Sequence, residues 1–424
     1  MLTDPEERKR LRQERAAQRA KKQAQTRKLL LRIAGAAVIL IACGALIFSL
    51  SRKQPAPDTP SEENIISTQQ TQQNTPEATT PATTVIHYAA AGDLNINDAT
   101  VAAGGNAYVY TNAFRDVAHL LAGADIASVN FEGNFCGEPY GSSFSAPQSM
   151  ATALQKAGVD LVQMANSFSI NRGLSGLISS IDAVRSTGME PLGVYADEQD
   201  FRQRKGYTIC NVQGIKLAFV AFTKGMDGMA LPPGSENCVN VLYEDYDSVY
   251  QNVDTEKITS ILTAARKEKP DVVIALLHWG SEFNNTVSSS QEQILKLLQA
   301  NGVDAIIGTH SHYVQKMTFD PDSGQFVAYS LGDFFSSASR AGSEYSVILD
   351  LEITKDNTTG KAKITGYSYT PIFTVHEPEQ PLRVVRIPQA IEAYKNNHLQ
   401  KVSTETYDKM VYAMERIEAR IAGE

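Results

Sequence analysis

Three times in this chain a glycine, an apolar residue and an aspartate lead into a short apolar run that stops at a polar side chain. Gly123-Ala124-Asp125 leads through Ile126 and Val129 to Asn130. Gly158-Val159-Asp160 leads through Leu161, Val162 and Met164 to Asn166. Gly302-Val303-Asp304 leads through Ala305, Ile306 and Ile307 to His310. Each glycine is expected to close a preceding helix in the left-handed conformation. Each apolar run is too short for a buried helix and reads as a strand covered on both faces. The preceding helices show their own periodicity, with Phe114, Val117, Leu120 and Leu121 on one face and Ile294, Leu297 and Leu298 on another. Ser290 and Gln293 are expected to form a capping box at the start of the latter. Helices alternating with buried strands restrict the chain to a layered α/β fold.

A fourth apolar run, 272–277, ends at His278. Open α/β sheets gather ligands and chemistry at the carboxyl ends of their strands. The polar residues that end these runs, Asn130, Asn166, His278 and His310, are therefore expected to share one edge. Residues 326–329, 346–353 and 362–369 read as further strands, with a turn over 355–360. The tail 389–422 reads as helical, with Ile391, Tyr394, Met410, Met414 and Ile417 available for packing.

The other end of the chain is of a different kind. Residues 1–53 carry thirteen Lys and Arg against four Asp and Glu, while the rest carries 26 against 43. So acidic a body excludes nucleic acid as the partner, since phosphate binding needs clustered cations. Residues 33–50 contain no charge and as a helix would span about 27 Å, close to the ~30 Å hydrocarbon core. The expected order is a basic cytoplasmic tail (1–28), a transmembrane signal anchor in membrane lipid (29–50) and a Pro/Thr/Gln-rich linker (51–84). The N-terminus stays inside by the positive-inside rule, and the body lies outside the cytoplasm. A lipoprotein processed at Cys43 is the alternative form of the same topology. As a coil the linker would reach about 30–35 Å, and its composition cannot offset the entropy of ordering. Outside the cell a Cys210–Cys238 bridge is open to the chain.

Gly308-Thr309-His310-Ser311-His312 is the sharpest chemical signal. Two imidazoles at i and i+2 at a strand end can approach one centre, and neutral imidazole suits Zn, Mn, Fe or Ni. Asp93 follows a first strand and a glycine turn, and Glu132 lies just past Asn130. Either could add a carboxylate, or Asp93 could be a turn-former and Glu132 a solvated charge. Trp279 reads as core packing. His87, His119, His376 and His398 have no comparable setting.

Taken in order, Gly92-Asp93, Asn130-Phe131-Glu132, Ala165-Asn166, His278-Trp279-Gly280-Ser281-Glu282, Gly308 to Gln315 and Tyr329-Ser330-Leu331-Gly332-Asp333-Phe334 resemble the CapA family of capsule and poly-γ-glutamate biosynthesis. The resemblance implies a metallophosphatase-like four-layer α/β/β/α sandwich over 85–375, with 376–424 as a helical extension. It implies one or two divalent ions (Mn, Fe or Zn) held by Asp93, Glu132, His278, His310 and His312. Asn166 and His278 are the catalytic candidates; Asn130, Asn166, Trp279 and Glu282 are the substrate-binding ones. The implied partners are an anionic polymer or other capsule-synthesis proteins. One departure stands out. Where the family has Ala-Asn-Asn-His and then Asp, this chain has Ala165-Asn166-Ser167-Phe168 and Asn171, which predicts a degenerate site with weakened hydrolysis. The competing readings are an active metallophosphoesterase or related hydrolase, and a metal-free binding or scaffold module.

Overall fold

The aspartates of the recurring pattern turn out to be clamps between neighbouring strands. In this computed structural model, which describes residues 82–338, 340–399 and 401–424, each stands one step before a strand and grips the same residue of the adjacent strand twice. Asp125 donates its main-chain N–H to the His87 carbonyl (2.9 Å) and accepts the His87 N–H on Oδ2 (2.8 Å). Asp160 does the same to Ala127 (2.9 Å and 2.9 Å) and Asp304 to Val273 (2.9 Å and 2.8 Å). Asp271, which follows Lys269-Pro270, grips Lys216 in the same way (2.7 Å and 2.7 Å). The side chain thus extends the parallel ladder by one rung and gives a main-chain N–H of the neighbouring strand its partner, a buried one at Ala127 and Val273.

Among the described residues fourteen strands follow one another: β1 (Thr83–Asn95), β2 (Ile126–Glu132), β3 (Leu161–Gln163), β4 (Glu190–Leu192), β5 (Tyr207–Val212), β6 (Ile215–Thr223) and β7 (Val272–His278), then β8 (Ala305–Thr309), β9 (Met317–Asp320), β10 (Gln325–Ala328), β11 (Asp333–Phe335), β12 (Tyr345–Asp356), β13 (Ala362–Val375) and β14 (Arg383–Arg386). Between them run α1 (Asp98–Ala102), α2 (Thr111–Phe114), α3 (Ala118–Ala122), α4 (Gln148–Lys156), α5 (Gly173–Ser186), α6 (Glu198–Arg204), α7 (Thr255–Lys267) and α8 (Ser289–Ala300). The chain closes with α9 (Ile387–Lys395) and α10 (Thr404–Ala422). One mixed sheet has the order β14-β13-β12-β1-β2-β3-β4, with β11 also paired to β1; the other has the order β5-β6-β7-β8-β10-β9.

Alternation of side chains along the strands assigns each face a separate core. Ile86, Tyr88 and Ala90 of β1 meet Leu217, Phe219, Ile274 and Leu276 of the second sheet. Ala89, Val129 and Phe131, on the opposite face of the first sheet, pack with Leu154 of α4 and Leu177 and Ile181 of α5. The outer face of the second sheet, Val220, Phe222, Ala275 and Leu277, packs with Ile258 and Leu262 of α7 and Ile294 and Leu298 of α8. The two sheets therefore share an inner core, and helices cover both outer faces. The stretch 376–424 adds β14 to a sheet edge and sends Ile387, Met410, Ala413 and Ile417 into the inner core.

Several local expectations shift. The capping box of α8 is Ser288 with Gln291, two residues earlier than expected, because Ser288 is the last extended residue (φ −87°, ψ 157°) and Ser290 already lies in the first turn. Gly158 and Gly302 are left-handed (φ +102° and +76°). Gly123 is not (φ −83°); a Cβ there would stand 2.7 Å from the His119 carbonyl oxygen, so close approach is what requires glycine. The tail forms two helices, α9 and α10, where one was expected. Cys210 and Cys238 are free thiols, which overturns the bridge: Cys238 packs in the core between the first sheet and its helices and Cys210 against the inner core. Segments 1–28 and 29–50 and nearly all of the linker lie outside the described residues; among the described residues no helix is long and apolar enough to cross a membrane.

The clamps give a direct test. Asp160→Ala and Asp304→Ala should each lower unfolding free energy by about 1–3 kcal/mol, the cost of a buried N–H left unsatisfied. Asp→Asn, which keeps the acceptor oxygen, should cost clearly less, as read by urea unfolding. Equal losses for Ala and Asn would contradict the clamp.

Candidate metal centre

Two glycines let the first strand reach the site. A Cβ on Gly92 would lie 1.8 Å from the Gly332 carbonyl oxygen. That same oxygen accepts the Asp93 N–H (3.0 Å). The close approach puts Asp93 opposite Asp333 of β11 on one side and Asn130 of β2 on the other. Gly308 serves β8 likewise, since a Cβ there would meet the Tyr329 oxygen at 2.0 Å. His278 ends β7, and the chain past β8 carries His310 and His312 on left-handed backbone (φ 91° and 58°).

The carboxylates and imidazoles gather in two donor groups that share one residue. Asp93, Glu132 and His278 offer ligand atoms within 4.8 Å of one another, and so do Asp93, His312 and Asp333. His312 Nδ1 lies 2.7 Å from Asp333 Oδ1 and 3.9 Å from Asp93 Oδ2, and His278 Nδ1 lies 3.5 Å from Glu132 Oε1. His310 stands beside the first group, its ring 4.4 Å from that of His278, and its main-chain N–H donates to Asp93 Oδ2 (3.0 Å). Asp333 joins the second group without having been expected there. Its sequence signal was present: Gly332-Asp333 repeats the glycine-then-aspartate arrangement of Gly92-Asp93.

Burial dominates the electrostatics. It pushes the Asp93 carboxyl up to about 6, with the Asp333 charge adding and the His312 charge opposing. It raises Glu132 as well, followed by the charge of Asp93. It holds His278 and His310 well below the ordinary imidazole value, which favours the neutral rings that can ligate a cation. At His312 burial opposes the charge, but the carboxylates of Asp333, Glu132 and Asp93 outweigh it and lift the ring to about 10. Three buried carboxyl groups thus face one imidazolium. A divalent cation would relieve that imbalance, and carboxylate with neutral imidazole suits Mn, Fe or Zn. The residues fit such a group.

The asparagines orient these ligands. Asn130 Nδ2 donates to Asp93 Oδ1 (2.7 Å) and Glu132 Oε1 (3.2 Å). Asn166 Nδ2 donates to Asn130 Oδ1 (3.0 Å) and the Phe131 carbonyl (2.7 Å), while its Oδ1 accepts the Phe168 N–H (3.0 Å). With both amides engaged inside the protein, neither has the free donor expected of a substrate-binding residue. Trp279 is not a substrate contact either, being buried with Nε1 donating to the Tyr329 carbonyl (2.9 Å). Glu282 lies exposed on the following loop. Ser167 Oγ lies 3.2 Å from His278 Nε2, and the Phe168 ring packs on Phe144 (4.7 Å).

The His312–Asp333 pair can be checked without metal. Because the Asp333 carboxylate stabilises the imidazolium, Asp333→Asn should move the His312 titration midpoint downward in metal-free protein, followed by NMR of the ring carbons. An unmoved midpoint would contradict the pairing.

Residues 85–338 match the family model described as bacterial capsule synthesis protein PGA_cap. The chain is 26% identical over 266 residues to the capsule biosynthesis protein CapA of Bacillus anthracis, covering 60% of this chain and 60% of that protein. It is 23% identical over 216 residues to the PGA biosynthesis protein CapA of Bacillus subtilis (strain 168), covering 50% and 51%. The chain thus spans between half and three-fifths of the length of these curated relatives. A phosphatase structure from Mycoplasma pneumoniae covers 68% of this chain and 94% of its own at 14% identity, with a TM-score of 0.40. The family match alone takes in well over half of the sequence, and it contains every residue of the two donor groups: this chain belongs to the bacterial capsule synthesis protein PGA_cap family.

Proposed function

We propose that this chain is a membrane-tethered, extracytoplasmic CapA-like protein that handles an anionic surface polymer of the capsule or poly-γ-glutamate type through a two-ion centre with weak hydrolytic power. The observation that carries this reading is the sharing of Asp93 between two buried donor groups. The layering of helices on two facing sheets supports a metallophosphatase-like four-layer fold, and the basic stretch before the apolar run 29–50 supports the anchor and its orientation.

Asp93, Glu132 and His278 would hold one ion and Asp93, His312 and Asp333 the other. Bound divalent metal supplies Lewis acidity toward an oxyanion and acidifies a coordinated water. The protein's own part is to keep these ligands in place. Asn130 fixes the Asp93 and Glu132 carboxylates, Asn166 fixes Asn130, and the His310 N–H fixes the second Asp93 oxygen. The same walls bury Asp93, Glu132 and His278.

What the centre lacks is a proton donor beside His278. The hydroxyl of Ser167 faces that imidazole, and the neighbouring Phe168 turns a phenyl ring toward Phe144. A phenyl ring donates no proton, and a lost general acid costs about 10²–10⁴-fold in rate. The family relatives' role in capsule or polymer biosynthesis therefore sits more easily on this chain as binding, presentation or slow cleavage of polymer than as rapid hydrolysis.

Metal analysis of the purified protein should find stoichiometric Mn, Fe or Zn that is lost in Asp93→Ala. No metal in the wild type after reconstitution would favour a scaffold module instead. With metal bound, Ser167→Asn combined with Phe168→His should raise phosphodiester hydrolysis at least tenfold. Unchanged turnover in that variant would refute the explanation for weak activity, and fast turnover by the wild type would refute the weakness itself.

A further inference from the structure

Two cations flank the imidazoles of the centre without a carboxylate of their own. Lys224 follows the last residue of β6. Its N–H donates to the His278 carbonyl (2.8 Å), its Nζ donates to the Gly280 carbonyl (2.8 Å), and the Tyr250 ring lies 4.7 Å from that nitrogen. It feels the Glu282 charge without pairing with it. Arg340 approaches from the other side. It is exposed, with its guanidinium 4.3 Å over the Phe283 ring, which in turn stacks on His312 at 4.9 Å. Among the described residues, no Asp or Glu lies within ion-pair distance of either cation.

In a body with 26 basic against 43 acidic side chains, two unpaired cations beside one centre are a local reversal of charge. They are also held in place. Phe283 N–H donates to the Ser311 carbonyl (2.9 Å), and Gln315 Nε2 donates to the Asn284 carbonyl (2.8 Å), which pins the loop between the two cations. Tyr313 Oη donates to the Ala341 carbonyl (3.1 Å) and Arg420 Nη1 to the Gly342 carbonyl (3.3 Å). The Arg420 guanidinium, from α10, lies 4.6 Å from the Tyr313 ring and 5.1 Å from the Tyr345 ring. Arg340 and its Arg420 brace both lie beyond residue 338, where the family match ends.

We propose that Lys224 beside His278 and Arg340 beside His312 form a cationic clamp that seats two oxyanion groups of one substrate, presenting the linkage between them to the metal centre. This rests on the functional reading above and adds the residues that select an anionic chain. Arg340 on its aromatic platform offers a fork of donors to a carboxylate or a phosphate. Lys224, partly desolvated, offers a point charge. A lone anion can occupy one arm, whereas a chain with repeated carboxylates can occupy both and gain the advantage of a preorganised site.

The experiment uses the full-length, metal-loaded protein in detergent. Binding of a fluorescently labelled γ-linked glutamate oligomer is followed by anisotropy, with inorganic phosphate titrated separately. Lys224→Gln and Arg340→Gln should each weaken oligomer binding about fivefold to tenfold and the double variant more, with metal content unchanged and the effect shrinking at high salt. Lys224→Arg should retain most of the affinity. Wild-type affinity in the double variant, while Asp93→Ala abolishes binding, would overturn the clamp and leave the functional reading standing. Phosphate binding that depends on both cations, with the oligomer ignored, would overturn the clamp as a seat for two anionic groups and the polymer reading with it. A metal-loaded wild type that binds neither overturns both.

Discussion

The close passage of Gly92 over the Gly332 carbonyl determines the rest of the site. It brings β1 and β11 together at a point where neither strand can carry a side chain, and the next residue of each is an aspartate. Asp93 is thereby driven into a fully buried position, ringed by an asparagine amide, a main-chain N–H and two imidazole-bearing segments. A buried carboxylate is costly unless its charge is met. The protein meets it partly with hydrogen bonds and partly with His312, and the remaining imbalance is what a divalent cation would answer. The donor groups are the electrostatic consequence of a backbone contact.

That contact depends in turn on the sheets being held in register far from the site. The aspartate clamps fix the amino-terminal ends of β2, β3, β7 and β8 against their neighbours, while the ligands emerge from the opposite ends of β2, β7 and β8. One end of each sheet is tied down by hydrogen bonds, leaving the other free to carry groups whose placement serves chemistry. The arrangement explains why a polar residue precedes and a polar residue follows each short apolar run.

Much of this was legible in the chain. Period and spacing located β1, β2, β3, β7, β8, β10, β12 and β13 but not β4, β5, β6, β9, β11 or β14, and the residues ending the buried runs, Asn130, Asn166, His278 and His310, do lie around one centre. Their roles were less legible, because sequence names the residue that arrives and not the atom that faces inward. His310 also contributes its main-chain N–H to Asp93, a role its side chain gives no hint of. Asn130 and Asn166 use up their amides on one another and on the carboxylates. Asp333 went unassigned because only the parallel pairing of β11 with β1, a contact across some 240 residues of chain, shows that it faces Asp93. The free Cys210 and Cys238 illustrate the same limit, since their separation into different cores depends on which face of each sheet they join.

Because the two donor groups share the Asp93 carboxylate, they are expected to work as one site. The most direct measurement is the electron paramagnetic resonance spectrum of the protein loaded with Mn(II). Two ions per chain with spin-coupled signals are expected, as for metals about 3.5–4 Å apart bridged by a common ligand. A single uncoupled Mn(II) signal at saturating metal would contradict the shared role of Asp93, and with it the two-ion centre.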